Sequence, residues 1–93
     1  MMLPEPVKAV RPTDKFKAEY RRQPQVIQQA IDAALRNLVS DPVPESLGIT
    51  PLTGSSNPNV YTFRPTWNEP YLVSFEMQKQ VAILRSVIFH DPV

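Results

Sequence analysis

Val60-Tyr61-Thr62-Phe63-Arg64 and Tyr71-Leu72-Val73-Ser74-Phe75-Glu76-Met77 alternate with a period of two, and in both the odd-numbered residues are mostly apolar or aromatic. That is the pattern of strands with one face on a core. If Tyr61 and Phe63 share a face with Val73 and Phe75, paired positions must have an even sum, for instance Arg64 opposite Leu72 with Trp67-Asn68-Glu69 as a three-residue loop. The odd face meets the rest of the core, and Thr62, Arg64, Leu72, Ser74 and Glu76 form the opposite, accessible face. A last strand, Val81 to Phe89, is apolar at almost every position, so its orientation is decided by Arg85. With Leu84 and Ile88 inward, Arg85 lies near Leu72 on the open face; the reverse buries an unpaired guanidinium at a cost of several kcal/mol. The first arrangement is therefore expected, with the strand central in its sheet because both its faces are apolar.

Upstream the period changes to 3.6. Thr13 is suited to cap a helix over about Asp14 to Arg22, with Phe16 and Tyr20 at i, i+4 on its buried side. Pro24 then fits the first turn of a second helix, Gln25 to Val39, whose Ile27, Ile31, Ala34 and Leu38 form one stripe. The two helices make a tight hairpin that must bury its shared face elsewhere. Val7 to Arg11, bracketed by prolines, is a candidate short strand. Residues 40–59 carry Pro42, Pro44, Gly48, Pro51, Gly54 and Pro58 and show no regular pattern, so Leu47, Ile49 and Leu52 are expected to pin this connector to the core.

The chain of 93 residues is one domain by size, and its 42% hydrophobic and 20% charged composition is that of a globular protein. The absence of cysteine excludes disulfides, cysteine-ligated zinc and thiol nucleophiles, and a single histidine excludes a His-rich metal site; no cofactor is implied. No stretch approaches ~18 uninterrupted apolar residues and the N-terminus lacks a signal-peptide core, so a cytoplasmic protein without a membrane partner is expected. The net charge of +1 hides a cluster: Lys8, Arg11, Lys15, Lys17, Arg21 and Arg22 face only Asp14 and Glu19 within the same stretch. Such a run is either a solvated helix face or a surface for phosphates or an acidic partner.

Taken in order, Phe16, Tyr20, Pro24, Ile27, Ile31, Leu35 and Leu38, then Pro51-Leu52 and Gly54, then Tyr61, Arg64, Tyr71-Leu72-Val73-Ser74-Phe75, Ala82-Ile83-Leu84 and His90-Asp91 resemble the RelE/ParE superfamily of toxins over nearly the whole chain. The resemblance implies an α+β fold, with two N-terminal helices as an αα-hairpin packed on a twisted antiparallel sheet of three to four strands. It implies the toxin of a type II toxin–antitoxin module, neutralised by a cognate antitoxin that wraps it, with a toxin–antitoxin heterotetramer among the expected assemblies. In the RelE-like branch such toxins cut mRNA on the ribosome; in the ParE-like branch they inhibit DNA gyrase.

RNA cleavage needs a base for the 2′-hydroxyl proton, cations for the charge on phosphorus-bound oxygens, and an acid for the leaving oxygen. Arg64 matches a basic position of the family's first hairpin strand and is the expected phosphate clamp; His90 matches the position after the final strand and is the expected proton carrier. Arg85, Lys79, Arg21 and Arg22 are the further cations expected to carry RNA. Three departures bear on activity. Leu72 stands where many relatives have an arginine, Thr62 stands where RelE has a lysine, and these 93 residues lack the basic tail and late tyrosine of many active members. They favour the alternative of a non-catalytic ParE-like or degenerate relative that binds a protein, and an unrelated small interaction domain is a third reading. Ordinary structural roles compete at each position: an ion pair with Glu76 for Arg64, a chain-end surface residue for His90, and for Trp67 either a partner anchor or a fold back onto the sheet.

Overall fold

The Thr13 hydroxyl accepts the Phe16 N–H at 3.2 Å, so the first helix, α1 (Asp14–Arg21), begins where a side chain relieves an orphan amide. This is seen in a computed structural model that describes residues 3–52, 54, 56–66 and 70–89. The second helix, α2 (Gln25–Leu38), buries Ile27, Ile31, Ala34 and Leu38, the stripe its sequence predicts. Pro24 occupies its N-cap rather than its first turn. Gln28 ties the hairpin together, since its side-chain amide donates to the carbonyls of Tyr20 at 3.1 Å and Gln23 at 3.0 Å.

The helices pack on one face of a five-stranded sheet whose strands are β1 (Ala9–Pro12), β2 (Thr50–Pro51), β3 (Val60–Phe63), β4 (Tyr71–Gln78) and β5 (Val81–Phe89). Their spatial order is β1-β5-β4-β3-β2. Phe63, Val73, Phe75 and Leu84 from the sheet meet Phe16, Ile31 and Leu38 from the helices in a single core. The β3–β4 register pairs Tyr61 with Phe75 and Phe63 with Val73, the even-sum register expected from the alternation. Aromatic contacts follow from it, with Tyr61 and Phe75 rings 5.8 Å apart.

The sheet differs from expectation in three respects. It has five strands rather than three to four and is mixed rather than antiparallel, because β1 runs parallel to β5. The connector that reads as irregular contributes the two-residue edge strand β2 and a 3₁₀ turn, Glu45–Leu47, with Leu47 and Ile49 buried and Leu52 half-buried. Pro51 is tolerated there because β2 is an edge. Gly48 closes the 3₁₀ turn with φ at +62°, a left-handed conformation that glycine takes without strain.

The third difference decides the functional face. Opposite β4, the pairing runs Ser74 with Ser86 but Phe75 with Leu84, so Arg85 is the extra residue of a β-bulge. Leu84 faces the helices as expected, but Ile88 does not: it opposes Leu72 on the other face, and Val87, opposite Val73, turns inward in its place. Arg85 does reach the open face, beside Ser74 rather than Leu72.

Because β1 stops at Pro12, the outer backbone edge of β5 needs other partners beyond Leu84. The helix supplies them. Thr13 donates its N–H at 3.0 Å and its hydroxyl at 2.8 Å to the Leu84 carbonyl, and the Glu19 carboxylate accepts the Val87 N–H at 3.0 Å. Thr13 thus serves both the helix cap and the strand edge. Thr13→Ala is expected to lower unfolding stability by about 1–2 kcal/mol, and Thr13→Ser by much less, since the serine hydroxyl keeps both bonds. Urea denaturation measures this, and equal stability of the alanine variant and the parent would count against the double role.

Candidate functional site on the open sheet face

Across the face turned away from the helices, one row of hydroxyls crosses four strands. Ser86 pairs with Ser74, Ser74 with Thr62 and Thr62 with Thr50 in the sheet register. The Ser74 and Ser86 oxygens lie 2.7 Å apart, and those of Thr62 and Thr50 lie 3.2 Å apart. Thr62 and Ser74 look away from the helices as the alternation predicts, yet they are buried, 4% and 3% exposed, and so do not form the accessible surface expected of them. The Thr62 hydroxyl pairs with that of Thr50 and the Ser74 hydroxyl with that of Ser86, across the strands.

Above this row lies a concavity of about 320 Å³ lined by Ser74, Ser86, Leu52, Ile88, Lys15 and Arg85, with Thr13 at its edge. Two cations and no carboxylate line it. The bulge places Arg85 there, because the extra residue lets its exposed side chain leave the strand while Ser86 keeps its partner. Lys15 comes from the first turn of α1, two residues after the Thr13 cap. A second concavity, of about 550 Å³, lies at the β4–β5 hairpin end, over Val81 and Ile83, with Arg11 and Lys79 beside Glu5. Arg11 reaches it from β1, where it pairs with Ile83. Lys79 sits in a two-residue turn with Gln80, φ +49° and +68°, the left-handed pair typical of a tight hairpin.

The six candidate residues are not gathered at one point. Arg85 is in the central concavity and Lys79 in the hairpin-end one. Arg64 is exposed just past β3, its stem 3.7–4.0 Å from the position of a side chain at Gly48 and its N–H bonded to the Leu47 carbonyl at 2.8 Å, and it lines neither concavity. Glu76, a candidate partner for it, accepts a hydrogen bond from the Gln78 amide at 2.7 Å. Arg21 and Arg22 are exposed at the far end of α1, outside both concavities. His90, Asp91 and Trp67 lie outside the described residues.

Arg11 and Lys15 are the cations that the sequence pattern fails to single out. Both belong to the N-terminal basic cluster, but only the parallel pairing of β1 with β5 and the docking of α1 on that edge bring these two, and not their neighbours, to the open face. Away from the site, the Tyr20 hydroxyl donates to Asp32 at 2.7 Å, and this bond, then burial and the carboxylate charge, raise its pKa above the ordinary tyrosine value. The sign makes the contribution to stability complete at neutral pH and lost only as pH rises through the raised value, so this contact between α1 and α2 is a fixed tie rather than a switch.

No protein-family model matches the chain, and no curated protein matches its sequence at a significant level. Solved structures do match its fold. A chain of a RelB–RelE antitoxin–toxin complex from Methanococcus jannaschii superposes with a TM-score of 0.67 at 19% identity, over 85% of this chain and 88% of that one. A YoeB/ParE toxin from Agrobacterium tumefaciens gives 0.66 at 18% identity, over 89% and 99%. A chain of the E. coli DinJ–YafQ complex gives 0.61 at 13%, over 87% and 91%. This is the fold of the RelE/ParE-type toxins. The α+β fold, two helices on one face of a five-stranded mixed sheet, is shared with these neighbours.

The hydroxyl row generates a test of its own. Ser74→Ala removes one partner of a nearly buried pair and is expected to cost about 1–2 kcal/mol, whereas the Ser74→Ala, Ser86→Ala double variant should cost clearly less than the sum of the singles, with a coupling of about 0.5–1 kcal/mol. Chemical denaturation of the four proteins gives the cycle. Strict additivity would remove the pairing from the energetics of the face.

Proposed function

We propose that this protein is the toxin of a type II toxin–antitoxin module and that it acts through the open sheet face, as a RelE-like endonuclease cutting mRNA on the ribosome. The observation that carries the reading is the central concavity: Arg85 and Lys15 stand over the hydroxyl row with no carboxylate among its lining residues, on a fold shared with toxins of this type. A bound phosphodiester is anionic, and its transition state concentrates further charge on the non-bridging oxygens. Arg85 is the group suited to hold them, since a guanidinium stays charged and can make two parallel hydrogen bonds to phosphate.

In the reaction proposed, the 2′-oxygen attacks the adjacent phosphorus to form a 2′,3′-cyclic phosphate as the bond from phosphorus to the 5′-oxygen breaks; a base takes the 2′-hydroxyl proton and an acid delivers one to the leaving 5′-oxygen. His90 directly follows Phe89, the last residue of β5, and is the group assigned to that proton transfer; Arg64 is assigned to a flanking phosphate. Arg11 and Lys79 extend the positive surface on this face, and Arg21 and Arg22, beyond it at the far end of α1, are assigned to RNA or ribosomal RNA that runs past the site. The working compartment is the cytoplasm, and the cognate antitoxin is the protein partner.

One observation favours a second reading. Leu72 and Ile88 face each other on the open side, an apolar pair where a phosphate-binding enzyme gains nothing from it. A toxin that inhibits by gripping a protein, in the ParE-like manner, uses such a pair directly.

Induced expression followed by growth measurement and primer extension on ribosome-bound messages separates the readings. The endonuclease predicts growth arrest with cuts at fixed codon positions, reduced about 100-fold or more by Arg85→Ala and by His90→Ala. Arrest with intact messages selects the protein-binding toxin, and unimpaired growth removes the toxin assignment.

A further inference from the structure

Three hydroxyls border the central concavity, those of Thr13, Ser74 and Ser86, and each has one proton to give. Two of these protons are committed. Thr13 gives its own to the Leu84 carbonyl at 2.8 Å. Ser74 is 3% exposed, and among the described residues its Oγ has one hydrogen-bond partner, the Ser86 Oγ at 2.7 Å. That contact has two possible directions, and burial selects between them. If Ser86 donated, the Ser74 proton would be shut in with nothing to receive it, at the full desolvation cost of an unpaired donor. Ser74 is therefore the donor. The Ser86 proton is left without an acceptor among the described residues, on a half-buried side chain that lines the concavity.

With the pair set in this direction, what the side chains offer to a ligand here is protons. Arg85 and Lys15 are donors without any acceptor capacity, and no carboxylate shares the lining. A hydroxyl that already accepts a hydrogen bond also gives a stronger one, because each bond polarises the next. The Ser74 proton thus makes the Ser86 O–H a better donor than an isolated serine. Leu52 and Ile88, the apolar part of the lining, keep water from part of the site, so a charge held there is less screened.

We propose that Ser86 is a third ligand of the oxyanion held by Arg85 and Lys15, its O–H donated to a phosphoryl oxygen, and that Ser74 is the positioning residue that fixes this direction. The ligand class is a tetrahedral oxyanion met through oxygens that accept. No proton changes hands at Ser86, which keeps its hydrogen throughout. The anion site stands on the geometry of the hydroxyl pair alone; only its catalytic consequence rests on the endonuclease reading. In that reading the accepting atom is a non-bridging oxygen of the scissile phosphodiester, and the Ser86 bond strengthens as charge builds on it.

The test titrates the full chain with inorganic phosphate and with sulfate at mildly alkaline pH, where both are dianions, and follows the backbone amide resonances. Phosphate then carries one proton of its own and sulfate none, so the two ions report which way the hydroxyl pair points. The parent protein is expected to bind them equally to within about twofold, with shifts centred on Arg85 and Ser86. Ser86→Ala should weaken both about tenfold, and Ser86→Thr, which keeps the hydroxyl, should restore most of the loss. Ser74→Ala frees Ser86 to turn and accept, so it should move the preference toward phosphate by about threefold or more, a change that mere loosening of the fold does not produce. Tyr20→Phe removes the tie between the helices, away from the concavity, and should leave affinity and preference unchanged. Circular dichroism checks that each variant is folded. Parental binding by Ser86→Ala, an unchanged preference in Ser74→Ala, or shifts as strong at Lys17, Arg21 and Arg22 as at Arg85 overturns the proposal. None of these touches the endonuclease reading, which stands if Arg85→Ala still abolishes cuts in ribosome-bound messages. Anion binding as described, by a protein that cuts no message, removes that reading and keeps the site.

Discussion

The β-bulge at Arg85 is the constraint on which both faces of this small sheet depend. Leu84 and Val87 must both enter the core, yet they are three residues apart, and a regular strand turns residues three apart to opposite sides. One extra residue resolves the conflict. With Arg85 out of register, Val87 meets Val73, Ser86 meets Ser74, and Ile88 meets Leu72, so that apolar side chains face apolar ones and hydroxyl faces hydroxyl. Without it, Ser86 would be pressed into the core opposite Val73 and Val87 would turn to the open face opposite Leu72.

The same strand also joins the two layers. Its inner edge is held by β4 along its whole length, while its outer edge is held first by β1 and then by α1, through the Thr13 and Glu19 side chains. A parallel strand four residues long could not satisfy nine residues of backbone, and a helix end with orphan donors and acceptors nearby could complete the job. The consequence for function is positional. Anchoring the start of α1 on β5 brings Lys15 to the lip of the open face, next to the arginine that the bulge projects.

The open face therefore combines features that are distant in sequence. Its cations come from β1, from the first turn of α1, from the β4–β5 turn and from the bulge; its apolar strip comes from β5, β4 and the connector. Neither a basic cluster nor an apolar strand implies this alone. Together they give a surface that is positive along one side and aliphatic along its floor.

Much of the scaffold was legible in the chain itself because it is governed by short-range periodicity. The α2 stripe, the Thr13 cap, the β3–β4 register and the inward set Tyr61, Phe63, Val73 and Phe75 all follow from side-chain spacing in one or two segments. The order of these segments also sufficed to suggest the toxin fold. A short strand at Val7 to Arg11 was also indicated, and β1 forms over Ala9–Pro12; its parallel pairing, the strand β2 and the bulge lay beyond such reading. The strand β2 carries too few residues for a period to emerge, and both it and the direction of β1 are settled by the edges that neighbouring strands offer. The bulge left one trace, the adjacent polar pair Arg85-Ser86 inside an otherwise apolar run, but its position depends on matching two faces against β4 at once. Residue types and local spacing thus determined the layers and the core; which cations share the open face was decided only by long-range backbone pairing, because that pairing, and not proximity in the chain, sets where each side chain emerges.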